Sequence, residues 1–349
     1  MKRPLFSLPV PFALAPPMVI DAGTAVVRAA EHDPRTGAVR TLVIPRETAD
    51  VGFDVDEVGR LVRMLERSGF ASDSAVVIAP KSIVSVLPID LPPAESGAPI
   101  EQIARSRAAD MLGTERHTFE LSISSSPLAD EARRSSTVAV CSHEDGAGLI
   151  DAFHAAGLRV ARLISPAQAM IDAAVGVSEP DDGDARLVVD VGWADTTAVA
   201  IRGGKPLFER HLKKIGYRRV AEELAPTLSD AWLARWMLCE GRTRVQAPAD
   251  RVASVVRPFG IDVLRELDAT LTYLDQIVGA SDIKEVLLTG GGSTDDELLD
   301  WLTANLWKPV RPLAELIPAA QPGTSRVPAC LAVATAIASN SLASRGVAA

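Results

Sequence analysis

Cysteine is scarce in this chain, with 3 in 349 residues. Cys141, Cys239 and Cys330 are far apart and odd in number, and they lack the paired spacing of a zinc site. That excludes a disulfide scaffold and reads as reduced cytosolic thiols. Positive charge is also short, at 36 Lys and Arg against 45 Asp and Glu. A net charge of -9 and a pI near 5.2 argue against a nucleic-acid binder, which normally presents a basic surface. No apolar run is long enough to span a bilayer. Neither a Gly-x-Ser-x-Gly elbow nor a Walker-type phosphate loop occurs. Cys141, His143 and His154 are close in sequence but lack a fourth ligand at zinc spacing. The first 18 residues carry Lys2 and Arg3 before apolar residues, as a signal peptide does. However, Pro4, Pro9, Pro11, Pro16 and Pro17 break the helix such a peptide needs, so this leader is expected to lie extended on the protein.

What the chain does have is three apolar, β-rich runs that each break into a glycine turn. Met18-Val19-Ile20-Asp21-Ala22-Gly23-Thr24 is the first, and Leu187-Val188-Val189-Asp190-Val191-Gly192 the second. The third is Val286-Leu287-Leu288-Thr289-Gly290-Gly291-Gly292-Ser293. Glycines at such ends let the backbone approach a ligand closely, and N–H groups there can hold phosphate oxygens. Aspartates at the same ends suit Mg²⁺, which takes oxygen ligands and keeps several waters.

The length allows two domains with real cores. A hairpin is predicted over Ala25–Ala30 and Val39–Ile44, then a helix over Val55–Gly69 and a buried strand over Ser74–Ala79. From Lys81 to about Ser165 the pattern becomes strand, helix, two strands, helix, strand: a compact α+β insert. Its helices are Ile100–Leu112 and Glu144–Ala156, and its last strand is Arg159–Ile164. A helix from Pro166 to Val175 and a polar crossing at Asp181–Asp184 follow. The remainder holds strands at Arg186–Asp190, Thr197–Ile201 and Phe208–Lys214, helices at Tyr217–Leu228 and Trp232–Leu238, and a long helix at Arg257–Ile277. Val263, Leu267, Leu271 and Leu274 share one face of that long helix. A final Ala-rich helix is predicted over Val327–Leu342. It lacks the basic face and bulky aromatics of a membrane-surface helix.

The order of the three glycine turns resembles the actin-like ATPase superfamily. The insert, with Leu87–Pro92 and Phe153–Leu158, resembles the PilM/FtsA branch of it, in which type IV pilus assembly proteins are related to a cell-division protein. The resemblance runs from about Val19 to about Ser341 and implies an α/β, actin-like (ribonuclease H-like) two-domain fold with a small inserted α+β subdomain. The implied domains are 15–80 with 166–182, the insert 81–165, and 183–345. It further implies ATP and Mg²⁺ between the two domains. Gly23, Thr24 and Ala25 would lie on one side of the phosphates and Gly192, Trp193 and Ala194 on the other. Asp21 and Asp190 would reach the Mg²⁺ through water, while Gly290, Gly291, Gly292 and Ser293 would leave room for adenosine. Gln168 is the candidate for positioning an attacking water, with slow ATP hydrolysis at most.

Three positions depart from the family pattern. Trp193 is bulky where a small residue is usual, Asp195 adds negative charge beside the phosphate-facing turn, and Arg28 stands where lysine is usual. By the same resemblance, the partner is the N-terminal cytosolic peptide of a PilN-like inner-membrane protein. Ser82–Val86 and the helix Ile100–Leu112 are the groove candidates. That places the chain in the cytoplasm, recruited peripherally to the inner membrane as part of a pilus or secretion complex, with self-association compatible. The alternatives are a small-molecule kinase of the same superfamily, a GspL-like type II secretion component and a filament-forming division protein.

Overall fold

The computed structural model describes residues 16–47, 52–93, 96–124, 135–177, 184–228, 249–278, 283–317, 327 and 329–340. Most of the predicted leader, the helix Trp232–Leu238, most of the polar crossing and Cys239 lie outside these residues.

Two five-stranded sheets dominate, and they share one topology. In the first, β1 (Met18–Ala22), β2 (Val26–His32) and β3 (Val39–Pro45) form an antiparallel meander. On its other edge β1 pairs in parallel with β4 (Ser74–Ile78), which pairs in parallel with β8 (Arg159–Ile164). The second sheet repeats this with β9 (Ala185–Val191), β10 (Asp195–Arg202), β11 (Lys205–Lys213), β12 (Ile283–Thr289) and β13 (Val310–Pro312), in the order β11-β10-β9-β12-β13. Strands β1 and β4 are apolar almost throughout because both faces of the sheet are covered. On one face of the first sheet packs α1 (Val55–Arg67), whose Val58, Leu61, Val62 and Leu65 are buried at helical spacing. Asp54 caps it by accepting from the Glu57 N–H, and Gly69 follows its C-terminus at φ +83.

Between the two sheets lie α4 (Pro166–Gly176) and α8 (Ala332–Asn340). Ala332 and Ala336 of α8 pack with the second sheet, while Ala334 and Ala338 pack with the first. The alanine richness read in the sequence therefore has a packing cause: only small side chains let a helix touch sheets on two sides. The second sheet's other face is covered by α5 (Arg218–Leu228), α6 (Ala249–Val278) and α7 (Asp296–Asn305). Val263, Leu267, Leu271 and Leu274 of α6 are each no more than 1% exposed, on the single face predicted.

A third sheet, β5-β7-β6, is built from β5 (Val84–Asp90), β6 (Phe119–Ser124) and β7 (Ser135–Ser142), all antiparallel. One face is sealed by α2 (Ile100–Leu112) over Ile89, Phe119, Val138 and Val140. The sequence reading put the strand Arg159–Ile164 in this insert. In the structure that strand, β8, pairs with β4 and completes the first sheet instead. α3 (His143–Ala155) sends Leu149, Ala152 and Phe153 into the same core as α1. The periodicity of a strand is blind to its neighbour, so only tertiary pairing settles which sheet takes it. Among the described residues, no helix is long and apolar enough to cross a membrane.

Candidate functional site

The parallel strands of both sheets point their carboxyl ends at one narrow cleft, the place where open α/β sheets bind ligands. Asp21 lies near the end of β1 and Lys81 just past β4; Asp190 lies near the end of β9, and the triple glycine follows β12. The cleft is lined by Asp21, Gly23, Thr24, Ala25, Gly192, Trp193, Ala194, Asp190 and Gly291 among others. These residues come from distant chain segments, 21–25, 190–194 and 291, which the sequence pattern groups together.

Each glycine turn is pinned from behind. The Arg46 side chain donates to the Thr24 carbonyl at 3.0 Å and is itself held by Glu57 of α1 at 2.8 and 2.7 Å. Its guanidinium also stacks on Phe53. On the other side, the Tyr217 and Arg218 N–H groups donate to the Gly192 and Trp193 carbonyls, each at 2.9 Å. The Trp193 ring packs partly against the core of the second sheet, which accommodates its bulk.

The acidic groups are paired in two different ways. Asp21 accepts from Arg28 at 3.0 Å, directly across the β1–β2 ladder. Asp190 meets Lys81 at 2.9 Å, and Asp195 meets the same ammonium at 2.8 Å. Burial pushes the Asp21 carboxyl above its ordinary 3.8, Arg28 opposes this and the Asp190 charge adds to it. For Lys81, burial works to lower the ammonium, but the Asp190 and Asp195 carboxylates outweigh it and hold it above its ordinary 10.5. Asp195, a departure from the family pattern in the sequence, thus shares with Asp190 a counter-ion 114 residues away.

Gly290, Gly292 and Ser293 are packed where β12 ends. Gly290 adopts φ +79, and a Cβ there would fall 1.9 Å from the Asp190 carboxylate. Gly292 lies against Val191 in the same manner, and Ser293 is buried, donating to the Gly290 carbonyl at 2.6 Å. Gly290 and Gly292 close the strand end against β9, and Gly291 lines the cleft. Gln168 donates to Asp172 one turn along α4 at 2.7 Å and is not among the cleft-lining residues, although Pro166 is. Lys81 was missed altogether. Its one sequence signal was a lysine placed directly after a fully buried strand that ends beside Asp21.

The cleft offers about 70 Å³, well under the roughly 300–1,000 Å³ of sites that enclose a small-molecule ligand. Among the described residues, no three acidic, histidine or cysteine side chains converge as a metal site. The donors present are all carboxylate oxygens between two glycine turns, which fits a hard cation held largely by water and phosphate.

A second cavity of about 490 Å³ opens on the uncovered face of the third sheet. Ala139 and Cys141 of β7, Val84 of β5, Ile150 of α3 and Leu163 and Ile164 of β8 form its apolar wall, with Glu120 and His143 at one edge. Val84, one of the groove candidates Ser82–Val86, lines this cavity. The helix Ile100–Leu112 covers the opposite face of the sheet.

No family model matches the chain, and no curated protein matches it. Solved structures do. A chain of the PilM–PilN type IV pilus biogenesis complex superposes with a TM-score of 0.66 at 19% identity, over 96% of this chain and 99% of that one. The ethanolamine utilization protein EutJ from Carboxydothermus hydrogenoformans gives 0.52 at 17% identity, over 93% and 90%. The fold is actin-like. At these identities the likeness speaks for architecture: two related α/β halves facing a cleft, with a small α+β unit inserted in the first.

Proposed function

We propose that this chain is a cytosolic actin-like scaffold of a type IV pilus or related secretion machine. It takes ATP with Mg²⁺ in the cleft and an extended peptide of a PilN-like inner-membrane protein in the apolar cavity. That peptide recruits it to the inner membrane. The observation that carries this reading is the pairing of a charged cleft with a separate 490 Å³ apolar cavity in one actin-like fold. The similar PilM was solved as a PilM–PilN complex.

In the cleft, Asp190 and Asp21 hold the hydrated cation, which supplies charge neutralisation at the phosphates when bound. The turns Gly23–Ala25 and Gly192–Ala194 bring backbone close to the phosphate chain from either side. Gln168, tied to Asp172, is not poised to order an attacking water, which supports slow turnover at most. In the cavity, an extended peptide seats apolar side chains between the third sheet and α3.

The test is calorimetry of Mg·ATP on wild type and Asp190→Ala, with phosphate release followed on the same samples. A labelled N-terminal peptide of the cognate PilN-like protein is titrated against wild type and Ala147→Trp, which fills the cavity. Mg·ATP affinity should fall at least tenfold in Asp190→Ala, and peptide binding should be lost in Ala147→Trp while Mg·ATP binding persists. A peptide that binds Ala147→Trp as tightly as wild type sinks the groove assignment, and a wild type blind to Mg·ATP sinks the nucleotide assignment.

A further inference from the structure

The cleft and the cavity share a wall. Ala79 borders both, Pro166 faces the cleft while its neighbour Ser165 faces the cavity, and the Ala79 N–H donates to the Ile164 carbonyl at 2.9 Å. From this wall the chain runs through the single turn Lys81–Ile83 directly into Val84, which lines the cavity. Lys81 is thus fastened at one end to the second half of the molecule, through Asp190 and Asp195. At the other it is joined by three residues to the peptide-facing surface. Its approach depends on Gly192, where a Cβ would lie 3.2 Å from the ammonium.

We propose that Lys81 makes occupancy of the cleft and occupancy of the apolar cavity one coupled equilibrium. This rests on the reading of the cleft as a Mg·nucleotide site. Lys81 and a hydrated cation compete for the same Asp190 carboxylate, because the Asp190 and Lys81 groups already stand at 2.9 Å. A cation arriving at Asp190 takes one of the ammonium's two carboxylate partners, leaving Asp195 at 2.8 Å and the phosphate chain to compete for it. Moving Lys81 moves the turn Lys81–Ile83 and, with it, the Val84 wall. Linkage then requires that a peptide in the cavity change Mg·ATP affinity by the same factor that Mg·ATP changes peptide affinity. The differential interaction is the Lys81–Asp190–Asp195 contact, made in one state only.

Cys141 reports on the cavity directly, since its thiol is half-buried in the wall and burial holds it above the ordinary thiol range, which slows its reaction. The rate of its alkylation by N-ethylmaleimide, resolved from the other cysteines by peptide mass spectrometry, is measured with and without saturating Mg·ATP. Saturation is verified by calorimetry on each protein. In the wild type Mg·ATP should raise the rate at least threefold. In Lys81→Met and in Asp195→Asn the rate without nucleotide should already be raised, and the response to Mg·ATP should shrink below 1.5-fold. Wild type that binds Mg·ATP with no change at Cys141 overturns the coupling alone. Variants that respond as wild type does overturn the role of Lys81. Wild type that does not bind Mg·ATP overturns the nucleotide reading and the coupling with it. Asp195→Asn keeps Lys81 and its partner Asp190, so agreement between the two variants separates a lost latch from a misfolded chain.

Discussion

The two five-stranded sheets carry the same strand order and place an aspartate near the same end of the same strand, yet they neutralise it differently. Asp21 is answered by Arg28 from the neighbouring strand of its own hairpin, in register across the ladder. Asp190 is answered by Lys81 from the opposite half of the molecule. A counter-ion inside one hairpin is present whenever that hairpin is folded. One that reaches across a cleft is present only while the cleft is closed. The repeat therefore yields one fixed aspartate and one switchable aspartate.

The largest expected difference lies in stability. Arg28→Met leaves the Asp21 carboxylate without its guanidinium inside a folded sheet and should cost about 3 kcal/mol, as breaking a buried pair does. Lys81→Met leaves Asp190 and Asp195 without their shared ammonium, and because the cleft can part and let water reach both, it should cost less than Arg28→Met. Urea denaturation of the two variants side by side checks this, and equal losses would break the contrast. Gly290→Ala comes next, because φ +79 and the 1.9 Å approach to Asp190 leave no room for a Cβ. A loss of roughly 1–3 kcal/mol is expected, visible as a fall in Tm. Mg·ATP affinity gives a smaller separation: Asp190→Asn should lower it by about tenfold, or about 1.4 kcal/mol, and Asp21→Asn by less. Calorimetry in which the Asp21 variant loses more reverses the roles assigned here.

The smallest effect is on pH dependence. The Asp21 carboxyl is raised in the folded protein, mainly by burial, so the native state holds its proton more tightly than the unfolded chain. The stability this contributes is fully present below the ordinary value of 3.8 and is lost as pH rises through the raised value. Asp21→Asn should therefore flatten the stability profile in the weakly acidic range just above 3.8. An unchanged slope there would place the titration on another group.

Much of this was legible in residue order. The three apolar runs ending in Asp-x-Gly or Gly-Gly-Gly announced the strand ends, and a 3.6-residue period placed Val263, Leu267, Leu271 and Leu274 on the buried face of α6. Those signals are local, since burial, backbone freedom and helix periodicity are written within a dozen residues. The departure at Asp195 was visible too, but its meaning was not, because its counter-ion Lys81 lies 114 residues away. For the same reason Arg159–Ile164 read as part of the insert, although it pairs with β4.

Sequence alone therefore determined most of the described strands and helices, where the backbone needs glycine, and that two aspartates stand at strand ends. Only the tertiary structure decided which sheet each strand joins, that Gly290 and Gly292 pack against β9, and that Asp190 is held from across the cleft. The physical reason is range. Propensity and periodicity act between neighbours along the chain, whereas an ion pair of 2.9 Å between residues 81 and 190 exists only once both sheets have folded and met.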